Sequence, residues 1–476
     1  MAMAQFPAAA PQPQWSYAMR QSRWGLTIME IQPSGELQPG DLLRAGRYEI
    51  KQLRRSAPDK DIYLAQDRVL ACPVAIDVFS NNNSILPNGL TVSAWEACVL
   101  GQLGDHPNIA KAHDYWEDGK TAVMATRYLS GGTLRDLISQ SQETGGLPVE
   151  RIMQLSTEIA RGLEHIHGRR ILYNDLQPCN VLLDEWGAVH LVDFDTAVSL
   201  DEPGMSDLSQ RPVIVYTAPE LTDGGSADER ADLYSLGATM YEMVSGHPPF
   251  AGTREQILAA RRTGPPPALE QDDLPEALRD LIFSMLAQDL EQRPASAAEV
   301  IRRLDGIRAT RAEVEQILAG DETATLEFKS SLRTPIRTLT KEEKSHISSL
   351  QRDLEHAVLK TVTAFLNSYG GILVIGVADD HSVIGIEVDY PTTMGSSDGW
   401  RLKFDKLVSE HLDKGALNFI DLRLEPWRGR TIAIVKCSKR EEPTLIGDDE
   451  LFVRRTASSA KLSMREALAW WRERRG

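Results

Sequence analysis

The most constraining stretch of this sequence runs from Arg170 to Ala197 and reads RILYNDLQPCNVLLDEWGAVHLVDFDTA. Two short apolar runs, VLL and VHLV, separate a loop that holds Asp175 and Asn180 from a second loop that holds Asp193. Carboxylates and an amide are hard oxygen donors of the kind that suits Mg²⁺, so metal chemistry is open to this stretch. With 476 residues the chain exceeds what one hydrophobic core usually supports, and two domains are the default expectation. Apolar residues at 42% and charged residues at 25% are ordinary for a soluble globular protein. A formal charge of -16 argues against a chain that binds polyanions over its whole surface, and leaves room for a local basic patch. Cys72, Cys98, Cys179 and Cys437 are far apart and form no CxxC pair, which predicts reduced thiols in a cytoplasmic protein, packed as small core residues. Apolar runs such as Gly371 to Ala378 fall well short of about 20 residues, so no membrane span is expected. The opening MAMAQFPAAAPQPQ lacks the basic start and apolar block of a secretory signal.

The central stretch resembles the catalytic loop, strand pair and metal-binding loop of protein kinases, where HRDLKPxN is followed by two short strands and DFG. The corresponding places here read Tyr173-Asn174-Asp175-Leu176-Gln177-Pro178-Cys179-Asn180 and Asp193-Phe194-Asp195. The resemblance implies that Asp175 orients and deprotonates a substrate hydroxyl, and that Asn180 and Asp193 hold Mg²⁺. Several helpers differ. Gln177 stands for lysine, Tyr173-Asn174 for His-Arg, and Asp195 for the flexible glycine. Loss of that arginine removes the usual partner of a phosphorylated activation loop. Pro212-Val213 replace the Gly-Thr that normally precedes Tyr216-Thr217-Ala218-Pro219-Glu220, the APE segment.

Between Tyr48 and Phe79, alternating apolar residues in YEIKQL, DIYLAQD and PVAIDVF predict three strands of an antiparallel sheet. In kinases the first two flank GxGxxG, whose bare backbone closes over the phosphates of ATP. The turn here, Arg54-Arg55-Ser56-Ala57-Pro58-Asp59, has no glycine, and VAIK becomes Val74-Ala75-Ile76-Asp77. A segment from Trp95 to Leu103, followed by His106-Pro107-Asn108-Ile109, resembles the kinase C-helix and its exit. Glu96 then takes the place of the glutamate that pairs with the missing lysine. Asp77 facing Glu96 is repulsive by roughly 4 kcal/mol at about 4 Å and an effective dielectric of about 20. The helix would be pushed outward unless a cation intervenes. Lys60, in KDIY, falls at the second-strand position from which with-no-lysine kinases supply a substitute; the alternative is an exposed surface lysine. Thr126 to Leu134 resembles the hinge between the lobes, which places Arg127 and Leu129 beside ATP. Ile152, Leu155, Ile159, Leu163 and Ile166 form a helical stripe that leads to the catalytic loop. Asp232 to Gly237 resembles the F-helix motif, and Arg293 the arginine that pairs with Glu220. Loss of one partner from such a buried pair costs several kcal/mol. The kinase resemblance covers about 47 to 308.

After Ile307, Arg311 to Ala319 predict a short helix ended by Gly320. Next come TLEFKSS from Thr325, AFLNSYGGILVIGVAD from Ala364 and FVRR from Phe452, which together resemble the Schlafen/AlbA-type nucleic-acid domain over about 312 to 465. A polar insertion at about 331 to 353 lengthens the loop after EFK. Leu354, Val358, Val362 and Phe365 form a stripe expected to pack on a buried strand from Ile372 to Val377, with Gly370-Gly371 making the sharp return. In nuclease members of that family two glutamates and an aspartate converge on divalent metal. Glu322, Glu327 and Asp379 match them and would hold Mg²⁺ or Mn²⁺, with Lys329 stabilising transition-state charge. The alternative is a helix-capping Glu322 and a structural Glu327-Lys329 pair. Lys329, Arg333, Arg337, Lys341, Lys344, Lys436, Lys439, Arg440, Arg454, Arg455 and Lys461 make a candidate basic face for RNA or DNA, with Arg454 and Arg455 as named contacts. The terminal WWRERR is expected to pack its tryptophans and expose its arginines.

The expected fold class is multidomain α+β: a disordered tail over 1–42, a bilobal protein kinase-like domain over 43–308, and an α/β Schlafen/AlbA-like domain over 309–476. The leading functional reading is a pseudokinase that controls a nucleic-acid-binding domain with a possible metal-dependent ribonuclease site. The alternatives are an active Ser/Thr kinase using ATP, Mg²⁺ and the relocated Lys60, and a non-catalytic scaffold for protein partners.

Overall fold

In a computed structural model, all residues are described except 1–17, 22–26, 31–35, 59, 80–84, 87–88, 119–120, 143–145, 202–213, 223–227, 272, 337–345, 448 and 476. Pro212-Val213, Arg337, Lys341 and Lys344 therefore lie outside the described residues. Contacts divide the chain into one unit of Met1–Leu269 with Asp280–Asp305, and another of Glu270–Arg279 with Gly306–Gly476.

The first unit opens its ordered sheet with the three predicted strands, Tyr48–Ser56, Lys60–Asp67 and Cys72–Phe79. Thr121–Arg127 and Ala112–Asp118 continue the antiparallel order, and Leu42–Leu43 pairs on the outer edge. Inward residues of these strands, among them Tyr48, Ile50, Tyr63, Val74, Ile76 and Val123, form the core of the sheet. Two register shifts interrupt the first strand, the second of them between Leu53 and Arg55. Ahead of this sheet, Ala18–Gln21 and Thr27–Glu30 pair as a short antiparallel ribbon within the segment read as a tail.

Helices follow. Val149–His167 buries the predicted stripe, and Glu229–Ser245 is buried along nearly its whole length. Asp232 on that second helix is fully buried, so its charge needs several donors. It accepts from the amides of Tyr173 and Asn174 at 2.9 and 2.7 Å, and lies 2.8 Å from Nε2 of His167. These bonds hold Asn174 at a φ of 65° and fix the loop that carries Asp175. Arg293 grips Glu220 with two bonds of 2.7 and 2.9 Å, with its own side chain out of solvent.

The second unit has a four-stranded sheet in the order Leu326–Lys329, Gly371–Ile375, Arg430–Cys437, Ile420–Trp427; the first pair is parallel and the others antiparallel. Helices Ile347–Leu366 and Ser397–His411 bury Val358, Val362, Phe365, Trp400 and Phe404 with Leu373 and Ile375. Val314 and Ile317 join a second core with Phe328, Val374 and Ile434. Those two residues belong to one helix, Ala297–Leu318, instead of the short helix expected from Arg311. Gly306 costs about 1 kcal/mol within a helix, too little to end one that buries Val300, Leu304, Ile307, Val314 and Ile317. Of the four cysteines only Cys437 is buried, and Cys98 is exposed, which corrects the core reading. Among the described residues no helix is long and apolar enough to cross a membrane.

Candidate functional site

In the first unit, Lys60 begins its strand opposite Phe79, where the aromatic ring and neighbouring strands exclude water. Its Nζ lies 2.8 Å from Oδ1 of Asp193, 3.8 Å from Oε2 of Glu96 and 3.9 Å from Oδ2 of Asp77. Only a tenth of the side chain is exposed, so the surface-lysine alternative is set aside. Burial alone would lower the Lys60 ammonium, but Glu96, Asp193 and Asp77 together outweigh it and raise its pKa well above the usual value. Burial pushes the Glu96 carboxyl up to about 8, against the pull of Lys60 and with help from Asp193 and Asp77. Asp77 is raised too, by burial first, then by Asp193.

Lys60 is thus the intervening cation, and the helix Val92–Leu103 is not driven away. Glu96 Oε1 accepts from the Phe194 amide at 3.2 Å, and Trp95 Nε1 donates to the Ala197 carbonyl at 2.8 Å. Among the described residues Oε2 of Glu96 is buried with no hydrogen-bond partner, and the Lys60 ammonium lies 3.8 Å from it. One ammonium faces three carboxyl groups, two of which burial holds toward the protonated form, so the cluster has protons to give up to a further cation.

Below it, Asn180 donates to Oδ2 of Asp175 at 2.6 Å and to the Asp175 carbonyl at 3.0 Å. Gln177, standing for lysine, donates to the same Oδ2 at 3.0 Å. Asp193 sits at a φ of 64°, and its neighbour Phe194 packs in the core against Tyr173 with ring centroids 4.9 Å apart. A cleft of about 420 Å³ is lined by Lys60, Asp77, Asn180 and Asp193 together with Arg127 and Leu129. Leu129 is buried, while Arg127 is partly exposed and reaches Asp184 at 3.5 Å. The size suits a nucleotide. The donors suit its metal: Asp193 and Asn180 offer hard oxygens, and the buried Lys60 offers a phosphate partner. Arg54 and Arg55, in place of glycines, are exposed and line the same cleft.

The second unit treats its predicted site differently. Glu327 is largely buried, and both its oxygens are taken: Lys329 Nζ donates at 2.5 Å and Arg454 at 2.6 Å. Glu322 accepts from the Phe328 amide at 3.0 Å, and Asp379 is exposed. Among the described residues no group of three acids, histidines or cysteines is arranged to hold a metal. Glu322, Glu327 and Asp379 therefore do not fit the divalent ion expected of them. Arg454 is also corrected. Its side chain is fully out of solvent, bonded to the Thr323 carbonyl at 2.7 Å as well as to Glu327, and cannot touch a nucleic acid. Arg455, next along the strand, is 61% exposed. Lys436 is tied to Glu313, and Arg440 is buried against Asp413. Arg474, expected outside, donates to the carbonyls of Asn367 and Arg440. Sequence reasoning missed Tyr369, a large aromatic standing 79% exposed within FLNSYGG. Its place inside a motif otherwise made of buried and turn residues was the available signal.

Known proteins give the same division. The model for the protein kinase domain matches residues 62–303, and the Schlafen, AlbA_2 model matches residues 322–463. Similar curated proteins include a probable serine/threonine-protein kinase of Clostridium perfringens, 31% identical over 55% of this chain and 38% of its own length. The serine/threonine-protein kinase PknA of Mycobacterium tuberculosis is 29% identical over 56% of this chain and 62% of its own. The DNA damage-responsive serine/threonine-protein kinase RqkA of Deinococcus radiodurans is 32% identical over 55% and 39% respectively. The chain thus spans between 38% and 62% of the length of these relatives. With the kinase model covering just over half of its residues, this chain belongs to the protein kinase family, and a Schlafen/AlbA_2 region follows its kinase domain.

Proposed function

We propose that the first unit is an ATP-dependent serine/threonine kinase in which Lys60 replaces the third-strand lysine, and that the second unit binds nucleic acid and so directs where the kinase acts. The observation that carries this reading is the position of Lys60, 2.8 Å from Asp193 and 3.8 Å from Glu96. From there its ammonium reaches the cleft and would bind phosphate oxygens of ATP, while Glu96 fixes its direction. Mg²⁺, when bound with ATP through Asp193 and Asn180, would neutralise phosphate charge. Asp175 would orient the substrate hydroxyl and take its proton as the hydroxyl oxygen bonds to the terminal phosphorus and ADP leaves. Leu129 would hold the adenine end in the apolar part of the cleft.

For the second unit, binding is favoured over cleavage because Glu327 is already neutralised by Lys329 and Arg454. A cytoplasmic location agrees with four free thiols. The test of the kinase reading is transfer of labelled phosphate from ATP with Mg²⁺ to a generic serine/threonine substrate. Native protein is expected to transfer, and Asp175→Asn to lose at least about 100-fold. A second reading, a pseudokinase that binds nucleotide without transfer, is favoured by Arg54 and Arg55 in the glycine-loop position and by Asn174 beside Asp175. Nucleotide binding by the native chain with no transfer to any substrate would select it.

A further inference from the structure

The turn after helix Ile347–Leu366 is locked from every side. Asn367 donates to the carbonyls of Thr444 and Phe452 at 2.8 and 2.9 Å and accepts from the Thr444 amide at 2.8 Å. Ser368 Oγ accepts from the Arg454 amide at 2.8 Å. Gly370 has a φ of +79°, and a Cβ there would come within 2.6 Å of the Cys437 carbonyl oxygen, so only glycine fits. Between these fixed points stands Tyr369, 79% exposed. A rigid turn that holds an aromatic ring in water presents that ring at little entropic cost on binding.

Tyr369 lines an open groove of about 540 Å³ together with Lys439, Arg455, Trp470 and Arg474. Lys439 and Arg455 are exposed; Arg474 lies over the Trp470 ring at 4.7 Å. Glu466 and Glu473 share the lining, and Glu466 lies 3.6 Å from Arg455. An exposed aromatic face beside cations is the combination that takes a single strand, because an unpaired base stacks on the ring while its phosphates meet the cations. A duplex keeps its bases stacked inside and gains only the charge contacts.

We infer that this groove binds single-stranded nucleic acid, with a base on Tyr369 and backbone phosphates on Lys439 and Arg455. The inference rests on the reading of the second unit as a nucleic-acid binder and names the form of nucleic acid and the residues that hold it. Arg454 borders the groove, but its side chain is out of solvent and paired with Glu327, so the pair supports the strand that carries Arg455.

The experiment is fluorescence anisotropy of the full chain with labelled 20-nucleotide single-stranded RNA, single-stranded DNA and the matching duplexes, over a series of salt concentrations. The single strands are expected to bind more tightly than the duplexes. Tyr369→Ala should weaken single-strand binding about tenfold and leave the salt dependence unchanged, while Tyr369→Phe stays within about twofold of native. Lys439→Ala and Arg455→Ala should each lower the slope of log affinity against log salt by about 0.7, the value for one phosphate contact on a single strand. Removing Glu466 as Glu466→Gln should tighten binding. A preference for one strand type identifies RNA or DNA as the ligand, and either supports the groove. Binding that prefers duplex, or that ignores Tyr369→Ala, overturns the groove while the nucleic-acid reading stands. Absence of binding to all four probes overturns both.

Discussion

One buried lysine faces three carboxylates in the first unit, and one largely buried carboxylate faces two cations in the second. Both clusters grew from residues that family resemblance marks as catalytic, yet their charge balance differs in sign and in completeness. Around Lys60 the acids are in excess, Glu96 keeps an oxygen without a hydrogen bond among the described residues, and a cleft opens beside them. Around Glu327 both carboxylate oxygens are answered by cations of the chain itself. A buried cluster with acids in excess is stable only with a ligand in view or with its protons rearranged; a buried carboxylate with both oxygens paired is scaffolding. The same residue types thus make a site in one place and a brace in the other.

The largest effect should come from breaking the brace. Arg454→Ala leaves Glu327 half-paired in a dry place, and loss of a buried partner costs about 3–5 kcal/mol. Hydrogen exchange over strands Leu326–Lys329 and Phe452–Arg455 should speed up by roughly 100-fold or more. Lys329→Ala, at a partly exposed partner, should cost only about 1 kcal/mol. Equal, small effects from both would show that Glu327 is not held as a brace.

The unbalanced cluster should respond to pH instead. Glu96 has a folded pKa of about 8, above its ordinary carboxyl value, so it binds its proton more tightly when folded. Its stabilising contribution is complete below the ordinary value and is lost as pH rises through about 8. Lys60, raised above its usual range, keeps its charge throughout that window. Melting of the first unit should therefore fall between about pH 5 and 8, and Lys60→Met should steepen the fall, since the acids lose the cation that all three share. A flat profile in the variant would contradict the charge excess. The smallest effect is expected from Asp77→Asn, which relieves repulsion with Glu96 and Asp193 and should stabilise the first unit by about 1 kcal/mol, the scale of one pKa unit. Denaturant unfolding at pH 8 measures it, and a destabilised variant would mean that Asp77 and Lys60 form a net favourable pair.

The kinase fold was legible because its signals are local and ordered: the strands from Tyr48 to Phe79, the stripe from Ile152 to Ile166, and Arg293 with Glu220 all stand where their motifs imply. Lys60 was legible only as a candidate. Its burial depends on Glu96, Asp77 and Asp193, which arrive from three distant segments, and no local pattern reports that convergence. Arg454 was misread although the information was present. Side chains alternate along a strand, so Arg454 and Arg455 point to opposite faces; alternation does not say which face is covered, and here Phe452, Val453 and Arg454 are all buried while Arg455 is exposed. The carboxylate triad failed for a nonlocal reason: Arg454 comes from more than 120 residues after Glu327 to occupy it. Tyr369 was hidden because its motif reads as packing, and exposure is a property of the surrounding turn.

The most direct measurement moves the lysine. Phosphate transfer from labelled ATP with Mg²⁺ is compared for the native chain, Lys60→Met, and Lys60→Met combined with Asp77→Lys, with folding checked for each. If Lys60 is the lysine of the ATP site, native protein transfers and Lys60→Met loses about 100- to 1000-fold, as loss of one preorganised charge does. Restoring a lysine on the third strand should recover a measurable part of it. Transfer by Lys60→Met at the native rate, or none by the native chain, would contradict the account.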